Sequence, residues 1–195
     1  MVISNKALTK REEFITQSLQ LIHQKGFKAT TIRDIADCMN CDVANVYNYI
    51  DSKQGLLESH LFAINGEFHE NVDQIIKSSY SPVEKIKKLI SLYVHITVTR
   101  PLEASLLVNE WRNLKEPKLT EFIKERESFE RKVKKIILEG IKDGAFRQMD
   151  PELATYTMLS SVRWLFNRYT GKKVKVNKVQ VEKEIVDFVL NGLSK

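Results

Sequence analysis

The sequence predicts an all-α chain of about nine helices. Apolar residues recur at spacings of three and four along most of the 195 residues, and this spacing places them on one face of a helix. Capping residues precede most of these segments, and Pro or Gly separates them. Alternation of polar and apolar residues, the pattern of a strand, is confined to a short Lys-rich stretch at 173–181.

Composition narrows the class of protein. Hydrophobic residues make up 43% of the chain, which is enough for a packed core at this length. No apolar run approaches the roughly 18 residues that a membrane-spanning helix needs, and the N-terminus lacks the apolar core of a signal peptide. We therefore expect a soluble cytoplasmic protein with no membrane partner.

The first predicted helix runs from Thr9 to Gln24. Thr9 and Glu12 have the spacing of a capping box, in which each side chain satisfies a backbone N–H of the other residue. Ile15 and Leu19 lie on one face of this helix, and Gly26 ends it. We expect the helix to pack against the two short helices that follow.

A helix-turn-helix is predicted between Thr30 and Lys53. Thr31 caps its first helix, and the helix stops at Asn40, because Asn tolerates the left-handed conformation that a helix C-terminus requires. Asp42 is then placed to cap a second helix, residues 43–49. This second helix is too short and too polar to be held mainly by core contacts, so we interpret it as a DNA-reading element.

The residue types at this motif suit contacts with duplex DNA. Asn can bind adenine with two hydrogen bonds, and small apolar groups can contact the thymine methyl in the major groove. Tyr hydroxyls and a Lys ammonium suit phosphate oxygens. The predicted DNA-binding residues are Thr31, Arg33, Val43, Ala44, Asn45, Tyr47, Asn48, Tyr49 and Lys53.

Bulk charge adds little to this interpretation. The chain carries a net charge of +6, but residues 1–55 contain seven Lys or Arg against six Asp or Glu. The placement of charge is more informative, since Lys6, Lys10 and Arg11 form a basic N-terminal arm. The Lys runs of the C-terminal part are interpreted as solvated helix faces and loop.

The same stretch resembles the TetR family of bacterial transcriptional regulators. The resemblance covers the first third of the chain, through Gly26-Phe27, Thr-Thr-Ile-Arg-Asp-Ile-Ala at 30–36 and Val-Tyr-Asn-Tyr-Ile-Asp-Ser-Lys-Gln-Gly-Leu-Leu at 46–57. Four positions depart from the usual pattern, each with a residue that can keep the physical role: Asn40, Cys41, Asp42 and Ile50. The resemblance implies a second, helical domain that binds a small molecule and forms a dimer.

The fourth predicted helix is a connector. Ser52 caps it, and its apolar stripe continues from Leu57 to Ile75, far beyond what a DNA-binding unit needs. We place the domain boundary here, with a DNA-binding domain at 1–52 and an effector-binding and dimerisation domain at 53–195. The remaining predicted helices run from Pro82 to about Thr99, from Leu102 to about Leu114, from Leu119 to about Gly140, from Glu152 to Tyr169, and from Asn177 to Gly192.

The second domain is large for a pure dimerisation module, and polar and aromatic residues are spread over several of its helices. We interpret these residues as the lining of a pocket for an effector that is at least partly apolar. The alternative is that each aromatic residue is ordinary core and that His95 is a core or surface histidine. The predicted pocket residues are Tyr93, His95, Asn109, Trp111, Arg112, Phe129, Trp164 and Asn167.

The resemblance further implies that the last two helices pair with those of a second copy across a two-fold axis. Apolar residues on these helices are therefore the predicted dimer interface. They are Leu159, Val162, Phe166, Val181, Ile185, Phe188 and Val189.

Catalytic and metal-binding signals are weak. Cys38 and Cys41 are the only two cysteines, whereas a structural zinc site needs four ligands, so we expect packing roles and keep a thiol switch as the alternative. The sequence has no phosphate loop, dinucleotide fingerprint or nucleophile elbow. We expect neither enzyme activity nor a cofactor.

The leading hypothesis is a homodimeric repressor that binds a palindromic operator and is released from it by a small molecule. One alternative is an activator of the same family. The other is a helical protein-interaction module that has kept the helix-turn-helix for packing.

Overall fold

A computed structural model of the chain describes residues 9–169 and 177–194, so the arm residue Lys6 and the strand-like stretch up to residue 176 lie outside the described residues. Within those residues the chain forms nine α-helices and no strand, which confirms the predicted all-α fold. No helix in this part of the chain combines the length and apolarity needed to cross a membrane.

The helices are α1 (Lys10–Lys25), α2 (Ile32–Cys38), α3 (Val43–Val46), α4 (Lys53–Lys77), α5 (Pro82–Thr99), α6 (Pro101–Asn109), α7 (Lys118–Lys142), α8 (Pro151–Tyr169) and α9 (Lys178–Leu193). A 3-10 turn, Trp111–Asn113, follows α6. Capping boxes begin three helices, with Thr9, Thr31 and Ser81 as the cap residues. These caps are local pairs three residues apart, which is why the sequence predicts them well.

Three predicted details require correction. Asp42 occupies the cap position of α3, but its side chain makes no capping bond, and its backbone carbonyl accepts from the N–H of Asn45 at 2.9 Å instead. The helix α3 ends at Val46 because the N–H groups of Asn48 and Tyr49 bond to carbonyls three residues back, which tightens the chain into turns. The same tightening ends α6 at Asn109, five residues before the predicted end.

Two apolar cores hold the helices together. The first joins α1, α2 and α3 around Phe14, Ile22, Ile35 and Val46. It extends past residue 52, because residues of α4, α6 and α7 also pack into it. The second core surrounds α5, which contacts α4, α6, α7, α8 and α9.

The long helix α4 links the two cores. Its 25 residues span about 37 Å at 1.5 Å per residue. Leu57 and Leu61 are fully buried in the first core, whereas Ile64, Phe68 and Val72 belong to the second. One rigid element therefore reaches from the helix-turn-helix into the second core.

Candidate DNA-binding face and effector cavity

The turn between α2 and α3 is set by one residue in a left-handed conformation. Asn40 has φ of 48°. Its N–H donates to the carbonyl of Asp37 at 3.2 Å, and the N–H of Cys41 donates to the carbonyl of Ala36 at 3.0 Å. This pair of bonds is the Schellman arrangement, which closes a helix and turns the chain sharply. Asn40 thus performs the function that Gly usually has at such a turn.

One side of α3 is fixed in the core and the other is exposed. Val46 is completely buried. Val43 is 39% and Tyr47 54% exposed, and the predicted base-reading residues Ala44, Asn45 and Asn48 are exposed as well. Five of the nine predicted DNA-binding residues therefore lie together on the free face of this short segment.

The start of α2 is held by a small polar network. Both the N–H and the hydroxyl of Thr31 donate to one carboxylate oxygen of Asp34, each at 2.7 Å, and Lys25 pairs with the other oxygen at 2.7 Å. These contacts hold the pKa of the Asp34 carboxyl far below its usual range, and the hydrogen bond from Lys25 is the largest cause. The network positions α2 against α1, and it leaves Arg33 exposed at the surface.

Tyr49 and Tyr47 differ in environment. The ring of Tyr49 stacks on Phe14, with centroids 4.5 Å apart and planes 14° from parallel. Tyr49 is therefore only partly exposed and is held against α1, whereas the ring of Tyr47 projects into solvent. Of the two tyrosines predicted to contact phosphate, Tyr47 is the freer side chain.

In the structure, the Lys53 side chain already makes hydrogen bonds to another part of the chain. Its Nζ donates to the carbonyls of Phe27 at 2.6 Å and Thr30 at 2.5 Å, and it lies 4.2 Å from the centroid of the Phe27 ring. Burial lowers the pKa of this ammonium below its ordinary value. Two of its three donors are thus used to fasten α4 to the loop between α1 and α2, which leaves at most one for a phosphate.

We expect Lys53→Met to lower the free energy of unfolding by about 2 kcal/mol, because two charge-assisted hydrogen bonds are lost at a partly exposed site. Urea denaturation of the variant measures this loss. Lys28→Met is the matched control, since Lys28 is an exposed lysine on the same loop and should cost little. If Lys53→Met instead keeps its stability and only reduces the salt dependence of operator binding, Lys53 is a phosphate contact.

A cavity of about 60 Å³ lies in the second core where α4, α5, α6, α7 and α8 meet. Tyr93 and Phe129 are the predicted pocket residues that line it. The full lining is Asn65, Phe68, Tyr93, Leu107, Val108, Phe122, Arg126, Phe129, Arg163 and Phe166.

Aromatic rings form most of the apolar wall of this cavity. Tyr93 stacks on Phe166 with centroids 5.7 Å apart, and Phe68 lies 4.8 Å from Tyr93. The rings of Phe129 and Phe68 are nearly perpendicular, with centroids 6.0 Å apart. Burial, as the largest cause, raises the pKa of Tyr93 to about 12, so its phenol stays protonated at neutral pH.

The structure places other predicted pocket residues outside this cavity. Asn109 and Asn167 hydrogen bond to each other at 2.9 Å across α6 and α8. His95 is exposed on α5, where its ring lies 3.3 Å from Lys178. The remaining three also lie elsewhere: Trp164 is 46% exposed, and Trp111 and Arg112 stack on each other.

Asn65, Arg126 and Arg163 are the polar lining residues that the sequence analysis missed. A signal was present, because Asn65 and Arg126 interrupt the otherwise apolar stripes of α4 and α7. A polar residue in a core-facing stripe needs a partner inside the protein, and this requirement points to a cavity or a polar network.

Most of the predicted dimer residues are held in the core of this chain. Leu159, Val162, Phe166, Ile185 and Val189 are buried there, and Val181 packs against it. Phe188 alone among the seven is strongly exposed, at 74%. The apolar side chains that α8 leaves exposed are others, namely Leu153 at 68%, Tyr156 at 45% and Trp164 at 46%.

The two cysteines lie at the end of α2 and in the turn. Both are free thiols; Cys38 is exposed, and Cys41 packs against the first core. Within the described residues no group of three or more His, Cys, Asp or Glu side chains is placed to hold a metal ion.

Comparison with known proteins agrees with this architecture. The HTH-type transcriptional repressor KstR2 of Mycolicibacterium smegmatis is 26% identical over 188 residues, which are 95% of this chain and 91% of that repressor. The solved structure of the ketosteroid transcriptional regulator KstR2 of Mycobacterium tuberculosis has a TM-score of 0.88 at 19% identity and covers 100% of both chains. AibR, solved in complex with isovaleryl coenzyme A and operator DNA, has a TM-score of 0.77 at 17% identity, over 92% of this chain and 97% of AibR.

Family matches cover both parts of the chain. Residues 14–59 match the family described as bacterial regulatory proteins, tetR family, and residues 79–193 match the tetracyclin repressor-like C-terminal domain. The second match alone spans more than half of the chain. This protein therefore belongs to the TetR family of bacterial transcriptional regulators.

Proposed function

We propose that this TetR-family regulator is a homodimeric repressor that binds a palindromic operator and releases it when a small molecule occupies the cavity. The observation that carries the proposal is the exposed face of α3, where Val43, Ala44, Asn45, Tyr47 and Asn48 project from a segment whose only fully buried side chain is Val46. A helix kept only for packing would bury such a face, so this exposure favours DNA reading over a protein-interaction module.

Dimerisation follows from what DNA reading requires. One α3 segment can read only one half-site, and two-fold pairing of the protein matches a palindromic site. Support for a pairing surface comes from the exposed Leu153, Tyr156, Trp164 and Phe188 on α8 and α9, since clustered large apolar side chains on a soluble protein usually mark an interface. An open groove of about 770 Å³ beside Leu153 and Phe188 could receive side chains of a second copy.

The cavity is connected to the DNA-binding helices by two elements. The helix α4 contributes Asn65 and Phe68 to the cavity and Lys53 to the loop beside α2. The helix α6 contributes Leu107 and Val108 to the cavity.

The other end of the α6 connection reaches α1. Ser105 of α6 lies 3.1 Å from the ring nitrogen of His23 on α1, and it accepts a hydrogen bond from Asn109 at 3.0 Å. A cavity of about 60 Å³ holds few non-hydrogen atoms, so a larger effector must push α4 or α6 outward. Such an effector binds the shifted state better and thereby moves the population away from the DNA-binding arrangement.

The AibR complex with isovaleryl coenzyme A and operator DNA supports an effector with an apolar part, given the shared fold. The test of the whole proposal is binding of the full-length protein to duplexes from its own upstream region. We expect a salt-dependent gap of at least about 1,000-fold between a palindromic duplex and a random one, with two chains bound per site. Equal affinity for all duplexes would contradict the proposal.

We expect Asn45→Ala to weaken binding to the cognate operator by about 1 to 3 kcal/mol, because a two-bond contact to an adenine edge is lost. Binding to random DNA should stay nearly unchanged, since Asn45 carries no charge. Fluorescence anisotropy with both duplexes at one salt concentration measures the difference. Gln74→Ala is the control, because Gln74 is an exposed amide near the far end of α4. Equal losses of affinity on both duplexes would show that Asn45 does not read a base.

A further inference from the structure

Arg126 is a partly buried arginine on the cavity wall that forms no ion pair among the described residues, although the charge of Glu130 acts on it. No described side chain or carbonyl accepts a hydrogen bond or ion pair from it. Its contact is with the Trp111 ring, whose centroid lies 4.5 Å from the guanidinium carbon. Burial, and then the nearby charge of Arg163, hold the pKa of Arg126 below its usual range, although a guanidinium remains charged at neutral pH.

The second arginine of the cavity, Arg163, pairs with a carboxylate that also binds another side chain. Its Nη2 donates to Oε1 of Glu130 at 3.2 Å, and the other oxygen of Glu130 accepts from the Tyr156 hydroxyl at 3.3 Å. The nearby Glu125 is bound by the Asn65 amide at 2.5 Å. Glu125 keeps its negative charge, because the amide that binds it is neutral. The charged side chains that line the cavity itself are nonetheless both arginines, and of these two only Arg163 is bonded to a carboxylate.

An unpaired charge that is partly removed from water is costly unless something compensates it. Arg112 stacks on the same ring at 4.5 Å but remains exposed to water, so water solvates its charge and it needs no partner inside the protein. The feature that distinguishes Arg126 from Arg112 is that it faces the cavity. A guanidinium in this position offers a planar pair of donors suited to a carboxylate or a phosphate.

We propose that Arg126, assisted by Arg163, binds the anionic group of the effector, and that the apolar body of the effector lies among Phe68, Phe129 and Phe166. This inference rests on the proposed function of the cavity as the effector site. The effector is thus an apolar molecule that ends in a carboxylate or a phosphate ester. A neutral molecule of the same shape would leave the charge of Arg126 uncompensated in a narrower, drier cavity, whereas Arg163 keeps its bond to Glu130.

Isothermal titration of the full-length protein with four probes of one chain length tests the proposal. The probes are octanoate, octyl phosphate, octanamide and octylammonium. We expect an anion to bind at least about 10-fold more tightly than octanamide, and octylammonium to bind most weakly. Tighter binding of octanoate identifies a carboxylate, and tighter binding of octyl phosphate identifies a phosphate ester. Equal binding of octanamide and the anions, or no binding of either anion, overturns the inference.

Paired variants assign the contact to Arg126. We expect Arg126→Gln to weaken binding of the preferred anion by about 10- to 100-fold while binding of octanamide changes little. Arg126→Lys keeps the charge but loses the planar pair of donors, so a smaller loss is expected. Arg112→Gln removes the other arginine on Trp111 and should leave the affinity for the anion unchanged. Equal losses for Arg112→Gln and Arg126→Gln, with intact melting curves, would overturn the assignment.

The proposed function has its own readout in the same samples. Operator binding by the wild-type protein without any probe tests that function alone. A protein that binds its operator but no anionic probe refutes this inference and leaves the repressor proposal standing. A protein that binds anions but no specific duplex refutes the repressor proposal.

Discussion

We expect Gly140→Ala to lower the free energy of unfolding by about 3 kcal/mol, because the added methyl group overpacks the second core. Gly140 is buried near the end of α7. A Cβ at this position would lie far inside van der Waals contact with the ring of Phe146, which is 1% exposed in the second core. The N–H of Phe146 also donates to the carbonyl of Gly140 at 2.9 Å, which holds the two backbones together, and the surrounding core leaves the ring little room to turn aside.

Gly66→Ala is the matched control for this experiment. Gly66 also lies inside a long helix, α4, but a Cβ there would meet no atom within 4 Å. Ala is favoured over Gly in a helix by about 1 kcal/mol, so Gly66→Ala should raise the stability by about that amount. Urea denaturation measures both changes. If the free energy of unfolding of Gly140→Ala from these curves lies within about 1 kcal/mol of the wild-type value, the segment around Phe146 adapts freely to the added methyl group.

The parts of the fold that the sequence predicts well depend on neighbours close in the chain. The caps at Thr31 and Ser81 pair with residues three positions on, and Asn40 closes α2 through bonds to Asp37 and Ala36. Patterns of this range can be read directly from the sequence. The ends of α3 and α6 are harder, because 3-10 tightening has no strong residue signature.

The environments of the site residues depend on partners that are distant in the chain, so they are harder to predict from sequence. The sequence predicts Lys53 as a phosphate contact, but it cannot show that the carbonyls of Phe27 and Thr30, 26 and 23 residues away, bind two of the three donors of its ammonium. Likewise, an apolar stripe shows that a helix has a buried face but not whether its own core or a second copy covers that face. Phe166 and Trp164 lie two positions apart on α8, on opposite sides, and only the tertiary structure separates core from surface.

We expect Phe188→Glu to yield a folded monomer with poor operator affinity. Phe188 is 74% exposed in the single chain, so the substitution should leave the core of each protomer intact. In the proposed dimer the same position is covered by the second copy, and a carboxylate there would be desolvated without a partner. Loss of the two-fold pairing leaves one α3 per particle, and the affinity for a palindromic duplex should fall by at least about 100-fold because the second half-site no longer binds within the same particle.

Val179→Glu is the matched control for the dimer experiment. Val179 is 78% exposed on the same helix, but nine residues before Phe188, which places it on about the opposite side of α9. Light scattering after size exclusion should therefore give the mass of a dimer for Val179→Glu and of a monomer for Phe188→Glu. Far-UV circular dichroism should show the same helix content in both. If Phe188→Glu stays dimeric and keeps its operator affinity, the two-fold axis does not pass this face of α9, and the exposed side chains of α8 must be tested in its place.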